Sequence, residues 1–525
     1  VRYYVMKDYK GLKKEKVKAF KALAKKDKNV KGVTFDERYK RYYPYSTVGS
    51  KVVGFCSTDN TGVWGIESKY NSSLNGVSGR RYGYFNTDLD LVETVNEPTN
   101  GNNITSTIDV NVQGILERHM NTFQKNTGSK NMGCIIMNPQ NGEIYAMSSY
   151  PEYNLNNPRD LSAFYSPEKI DKMSDKKKTE NLNKIWRNYC ISDAYEPGST
   201  FKPMTVAACL DEGVTTGSRA YHCDGYQVIN GVRIKCVAYS RGGHGTINIC
   251  QSLMESCNDV LMQLGADLGK RKFLQYVNEF GFGKKTGIDL PGEATGGVFT
   301  NDTMHAVELA TSSFGQGQTV TMIQMAAAFS SVINGGNYYE PHVVKEVKSE
   351  NGAVLESNDN ALVRRVITEN TSKKLRKYLY KTVEEGTALP AKVAGYQIGG
   401  KTGTAEKHPT GRGNYLVSFI GFATKDNPEV MIYVTIDEPH VAEQAHSTYA
   451  TQFSSEVLKE VLPILGMYQD SSTKKADKTK ASDIKLPSTK EAPDGGYSDG
   501  TYSVAGDQTD GTDTANTASP VPSAE

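Results

Sequence analysis

Tyr195-Glu-Pro-Gly-Ser-Thr-Phe-Lys-Pro203 sets Ser199 and Lys202 three residues apart where the chain enters the apolar-periodic stretch 204–210. Pro197 and Gly198 break the chain just before, so Ser199 is expected at the start of a helix, with hydroxyl and amine on one face. A serine hydroxyl is a weak nucleophile until a base stands beside it, and Lys202 can be that base only when neutral. Burial, a second cation and the positive end of the helix would each lower its pKa. The spacing is unspecific by itself: it recurs from Ser166, Ser174, Ser471, Ser472 and Ser482, and Ser199 also reads as an ordinary N-cap.

Two further stretches bear on that reading. Ser256-Cys-Asn258 falls between two helical segments, where a hydroxyl can relay a proton and an amide can hold a peptide carbonyl; decoys at Ser73, Ser129 and Ser349 leave a turn role open. Lys401-Thr-Gly-Thr404 reads as strand. Lys401 offers fixed charge, Thr402 and Thr404 offer hydroxyls, and Gly403 would let a substrate backbone approach. Gly395-Tyr-Gln-Ile-Gly-Gly-Lys-Thr402 also satisfies the phosphate-loop pattern, but Gly403, Pro409, Gly411 and Gly413 follow without the helical period such a loop needs.

Working outward, 525 residues suggest two to four domains at about 150 each, and 61 Lys and Arg against 59 Asp and Glu leave a net charge of +2. That near-neutral balance argues against nucleic acid as a partner. No apolar run approaches the roughly 18 to 20 residues of a membrane helix. The eight cysteines show no Cys-x-x-Cys pair and no histidine at zinc-like spacing, so no metal and no cofactor is expected.

Residues 1–31 are basic with a helical apolar period and read as a solvated helix, and residues 32–103 read as an irregular β-containing module with a strand-like run at 51–55. From 104, a hairpin at 132–147 turning at Asn141-Gly142 is followed by helices, then by strands at 396–398, 416–422 and 430–436, and last by a helix through Phe453, Val457, Val461 and Leu465. That order predicts an α+β fold, an antiparallel sheet covered by helices, over 104–468. Residues 469–525 are too poor in apolar residues to form a core and are expected to be disordered.

Ser199-Thr-Phe-Lys202, Ser256-Cys-Asn258 and Lys401-Thr-Gly-Thr404 occur in the order and contexts of the penicillin-binding proteins and serine β-lactamases. With Lys40-Arg-Tyr-Tyr-Pro44, Gly65-Ile-Glu67, Thr107-Ile-Asp109, Phe314-Gly-Gln-Gly317, Glu385-Gly-Thr387 and the segment Thr286-Gly-Ile-Asp-Leu-Pro-Gly292, the chain resembles a class B penicillin-binding protein. The resemblance implies the penicillin-binding transpeptidase fold on a pedestal, here residues 1–103. It implies that Ser199 attacks the penultimate D-Ala carbonyl of a peptidoglycan stem peptide, with Lys202 as base and Ser256 and Lys401 passing the proton on. Asn258 would hold a peptide amide, Thr402 and Thr404 the substrate carboxylate, and the N–H groups of Ser199 and Thr404 the oxyanion. β-Lactams would acylate Ser199. A glycosyltransferase and division or sporulation proteins are the implied partners; Glu196 resembles division-type and sporulation-type members. A membrane anchor and an extracytoplasmic location are expected, with the anchor upstream of Val1.

A β-lactamase, a β-lactam sensor and a non-catalytic scaffold of division or sporulation machinery share parts of this pattern. The class A lactamase signature Glu-x-x-Leu-Asn is absent. Cys223 and Cys236 flank a hairpin turn at Asn230-Gly231; a two-residue turn would set Cys223 opposite Ala238 and Cys236 opposite Gly225, so free thiols and a bridge both stay open. Cys257 reads as a small inward-packing side chain.

Overall fold

Three late strands and one early hairpin build a five-stranded antiparallel sheet, in the order Ile398–Glu406, Tyr415–Ala423, Val430–Pro439, Ser129–Met137, Ile144–Tyr150. The structure is a computed structural model and describes residues 6, 11–27, 29–30, 33, 35, 40–85, 91–358 and 361–469. Residues 470–525, nearly all of the expected disordered tail, lie outside the described residues. The register sets Lys401 opposite Ile420, Val434 opposite Cys134 and Cys134 opposite Ser148. Tyr415–Ala423 and Val430–Pro439 are buried along almost their whole length, which is why they read as continuous apolar runs and not as an alternation.

Helices cover both faces of this sheet. On one side the Val110–Asn126 helix, capped by Asp109, lays Val112, Leu116 and Met120 beside Phe453, Val457 and Val461 of the Thr448–Ile464 helix, over Val417, Phe419 and Val434. The other side packs Ile420, Phe422, Met431 and Tyr433 against the helices Lys202–Asp211, Asn258–Leu268 and Met322–Ile333. Every residue of Met322–Ile333 is buried, as expected of a helix apolar on all sides at the centre of a large core.

The expected strands and helices are found with shifted bounds. The strand foreseen at 396–398 begins at Ile398 and runs on through the lysine motif to Glu406. Asn141-Gly142 closes a longer connection, in which Asn138 N–H donates to the Glu143 carbonyl and Gly142 N–H to the Asn138 carbonyl. The run at 51–55 is no strand: Ser50–Val53 forms a helical turn. There Val52 joins the main core and the Lys51 amine donates to the carbonyls of Ile185 and Arg187, so tertiary burial overrides the β preference of Val52-Val53.

The helix Lys14–Lys26 buries none of its residues, as its charge pattern predicts. Behind it the N-terminal module consists of short helices and the hairpin Arg80–Phe85 with Leu91–Asn96. It is joined to the sheet domain by specific bonds. Tyr70 Oη donates to Asp289 (3.1 Å), which also accepts from the N–H groups of Val343 and Val344, and Gly49 N–H donates to Glu117 (2.7 Å).

Candidate active site

Ser199 sits in a single 3-10 turn, Gly198–Phe201, that runs directly into the helix Lys202–Asp211. Gly198 and Gly315 make this turn possible: Gly198 N–H donates to the Gly315 carbonyl, and a Cβ on Gly315, whose φ is +92°, would lie 2.0 Å from the Gly198 oxygen. The segment Phe314-Gly-Gln-Gly317 therefore supports the Ser199 turn from behind. Glu196 also anchors it, accepting from Gly317 N–H at 3.0 Å.

Ser256 lies between the helices Ile249–Met254 and Asn258–Leu268 in a left-handed conformation, φ +55°. That conformation is uncommon for a residue with a Cβ, and here it turns the side chain toward Ser199. Ser256 Oγ donates to Ser199 Oγ at 3.0 Å and accepts from Lys401 Nζ at 3.0 Å and from Lys202 Nζ at 3.1 Å. Lys202 Nζ also donates to the Ser256 carbonyl (2.6 Å) and to Asn258 Oδ1 (2.7 Å). Asn258 opens the second helix instead of lying on the loop, and its amide nitrogen donates to the Lys235 carbonyl at 3.3 Å.

Both amines are wholly buried. Burial lowers Lys202 to about 8, while Lys401 is driven well below its ordinary value by burial and then by the neighbouring Lys202 cation. Two ammonium groups on one hydroxyl repel each other, so the arrangement favours a neutral amine next to a hydroxyl that touches Ser199 Oγ. The spacing argument places Lys202 directly against Ser199; in the structure Ser256 stands between them, joined to both.

Thr402 Oγ1 is 3.2 Å from Thr387 Oγ1, and Lys401 Nζ donates to the Thr402 carbonyl at 3.1 Å. Thr387, in the Glu385-Gly-Thr387 segment, lies outside the three motifs; its place beside Thr402 depends on the helix Glu369–Glu385 packing on the strand. At Gly403 a Cβ would meet Ser418 Oγ at 2.3 Å and Thr200 Cγ2 at 3.0 Å, so the missing side chain admits the turn that carries Ser199. Thr404 stays partly exposed alongside Gly198. Lys401 and Thr402 lie mid-strand with no helix starting there, and the phosphate-loop reading fails for want of converging N–H groups.

The cysteine reading also needs correction. Asn230-Gly231 is the expected two-residue turn and Cys236 N–H donates to the Gly225 carbonyl, but Cys223 leaves that hairpin and pairs with Gly245 of the strand Gly245–Asn248, not with Ala238. All eight cysteines are free thiols. The spacing that disfavours a metal is spacing along the chain, and the fold removes that ground: Cys223, Cys236, His244 and Cys257 converge, their donor atoms all within 4.8 Å of one another. Cys257 does more than pack inward, since its sulfur caps the following helix by accepting from Val260 N–H.

The sequence model of the penicillin binding protein transpeptidase domain matches residues 132–460, and that of the penicillin-binding protein dimerisation domain matches residues 2–106. The chain is 37% identical over 464 residues to stage V sporulation protein D of Bacillus subtilis, which spans 86% of this chain and 68% of the relative. It is 27% identical over 438 residues to a probable peptidoglycan D,D-transpeptidase, PenA, of Neisseria meningitidis, spanning 82% of this chain and 68% of that one. Penicillin-binding protein 3 of Mycobacterium tuberculosis, solved with ampicillin, shares the fold with a TM-score of 0.69 at 23% identity, over 82% of this chain and 91% of the other.

Proposed function

Because this chain belongs to the class B penicillin-binding proteins, the peptidoglycan D,D-transpeptidases with a dimerisation module ahead of the catalytic domain, we propose that Ser199 is its acylated nucleophile. The reaction class is that of the family: a serine transpeptidase of peptidoglycan that binds penicillin. The observation that carries the assignment of residues is the meeting of Ser199 Oγ, Lys401 Nζ and Lys202 Nζ on the single hydroxyl of Ser256.

Ser199 Oγ attacks the carbonyl carbon of the bond between the two terminal D-Ala residues of a stem peptide. Its proton passes through Ser256, with Lys202 as base, and Lys401 helps deliver it to the nitrogen of the departing D-Ala. An amine of a neighbouring stem peptide then attacks the acyl-enzyme, and the proton it loses returns to Ser199. Asn258, already polarised by Lys202, holds a substrate amide, and Thr402 and Thr404 hold the terminal carboxylate. Backbone N–H groups of Ser199 and Thr404 receive the oxyanion, a contact worth about 3 kcal/mol per donor. Residues 1–103 serve as the pedestal and 104–468 as the catalytic unit, acting at the extracytoplasmic face of the membrane, where the substrate lies. No helix among the described residues is long and apolar enough to cross a membrane. A glycosyltransferase and division or sporulation proteins are the proposed partners, the sporulation role resting on the named Bacillus relative.

Incubation with a fluorescent penicillin followed by intact-mass analysis tests the assignment. Wild-type protein gains one penicilloyl group, and Ser199→Ala gains none. Undiminished labelling of Ser199→Ala would place the nucleophile elsewhere.

A further inference from the structure

Four donors from four separate segments converge next to the relay serine: Cys223 at the end of the strand Ala220–Cys223, Cys236 just after the strand Val232–Lys235, His244 before the strand Gly245–Asn248, and Cys257 between Ser256 and Asn258. We propose that these residues bind a tetrahedral zinc ion, which fastens the hairpin region 220–248 to the active-site loop.

The geometry is specific. Zinc–sulfur bonds of about 2.3 Å and zinc–nitrogen bonds of about 2.0–2.1 Å put the corners of a tetrahedron about 3.8 Å apart for two sulfurs and about 3.5 Å for sulfur and nitrogen. Cys236 Sγ lies 3.7 Å from Cys257 Sγ, and His244 Nδ1 lies 3.5 Å from Cys223 Sγ and 3.7 Å from Cys236 Sγ. A disulfide would need a separation of about 2.05 Å, so the cluster stands open at the width of a coordinated cation.

Backbone amides face two of the sulfurs. Asn258 N–H donates to Cys236 Sγ at 3.3 Å and Val260 N–H to Cys257 Sγ at 3.4 Å. Such N–H donors orient the two sulfurs toward the shared centre, as outer hydrogen bonds do in metal sites. Among the described residues no carboxylate is part of the cluster, and a set of soft sulfurs with one imidazole selects zinc over magnesium or calcium.

The ion would act on catalysis through position. Ser256 is held at a positive φ and Asn258 is bonded both to Lys202 and to the hairpin at Lys235, so the residue between them, Cys257, is where the loop can be tied down. This second part rests on the proposed roles of Ser256 and Asn258; metal binding itself does not.

Metal analysis of protein purified under reducing conditions provides the test. Wild type should carry about one zinc per chain, as should Ser199→Ala, which keeps the cluster while losing acylation and so separates this inference from the assignment of the nucleophile. Cys223→Ser and His244→Ala should lose zinc. Should those variants not fold, wild type stripped by chelator and reloaded with cobalt(II) should show thiolate-to-metal charge-transfer and tetrahedral d–d bands. Acylation by fluorescent penicillin should fall about tenfold on stripping and recover with zinc, with the circular dichroism spectrum unchanged. Absence of metal from wild type with no cobalt spectrum, or a disulfide among these cysteines in the fresh protein, would overturn the metal site. Unaltered acylation after stripping would overturn the positioning role.

Discussion

Among the described residues, Ser256 Oγ is the one atom that touches the proposed nucleophile and the amines of Lys202 and Lys401, which makes it the most informative residue to change. Ser256→Ala removes the relay while leaving Ser199 and the two lysines in place, and acylation by penicillin should fall by about 10² to 10⁴. Lys202 works as a base only when neutral, and its value of about 8 lies below that of an ordinary lysine. The sign follows directly: below about pH 8 the amine is protonated and acylation slows, and above it the rate levels off. A stopped-flow pH profile with a plateau already reached at pH 6 would show that another group sets the protonation step. The Ser199, Ser256 and Lys401 motifs were legible in the sequence because each is local, its spacing fixed by one helix, one loop or one strand. The cysteine–histidine cluster was not, because its donors come from four segments whose meeting depends on how the hairpin folds onto the Asn258–Leu268 helix.

At the scale of elements, the proposed active site is a junction between the strand Ile398–Glu406 and the turn Gly198–Phe201. Gly403 sets how closely they approach, because Ser418 and Thr200 occupy the space a side chain would need. Gly403→Ala should cost about 1–3 kcal/mol through overpacking and should lower acylation by moving Lys401 away from Ser256, read out as a lower melting temperature together with slower labelling. Stability loss without slower labelling would mean that the strand gives way somewhere else. The long strands and the closing helix could be foreseen because their apolar periods are strong; the turn Ser50–Val53 could not, because the burial of Lys51 under the carbonyls of Ile185 and Arg187 is a tertiary fact.

Across the whole molecule, the N-terminal module meets the catalytic unit at buried ionisable groups. Glu117 accepts from Gly49 N–H and from Gln113, and it is pushed up to about 8 by burial and then by Glu152, which in turn faces Lys51 and accepts from Ser50 and Ser148. A carboxyl raised in the folded state contributes stability that is complete below its unfolded value of 4.5 and is lost as pH rises through about 8. The melting temperature of Glu117→Gln should therefore vary less than that of wild type between pH 5 and about 8.5; equal slopes would show that Glu117 does not set this dependence. The sheet order has a consequence for how the protein is made. Val434 is bonded beside Cys134, although the entire helical region separates them along the chain. The early hairpin Ser129–Met137 with Ile144–Tyr150 must therefore wait, with one edge unfilled, until the strand Val430–Pro439 has been synthesised. A chain ending just before Val430 would contain every residue proposed to act in catalysis and still lack the strand that joins the two ends of the domain.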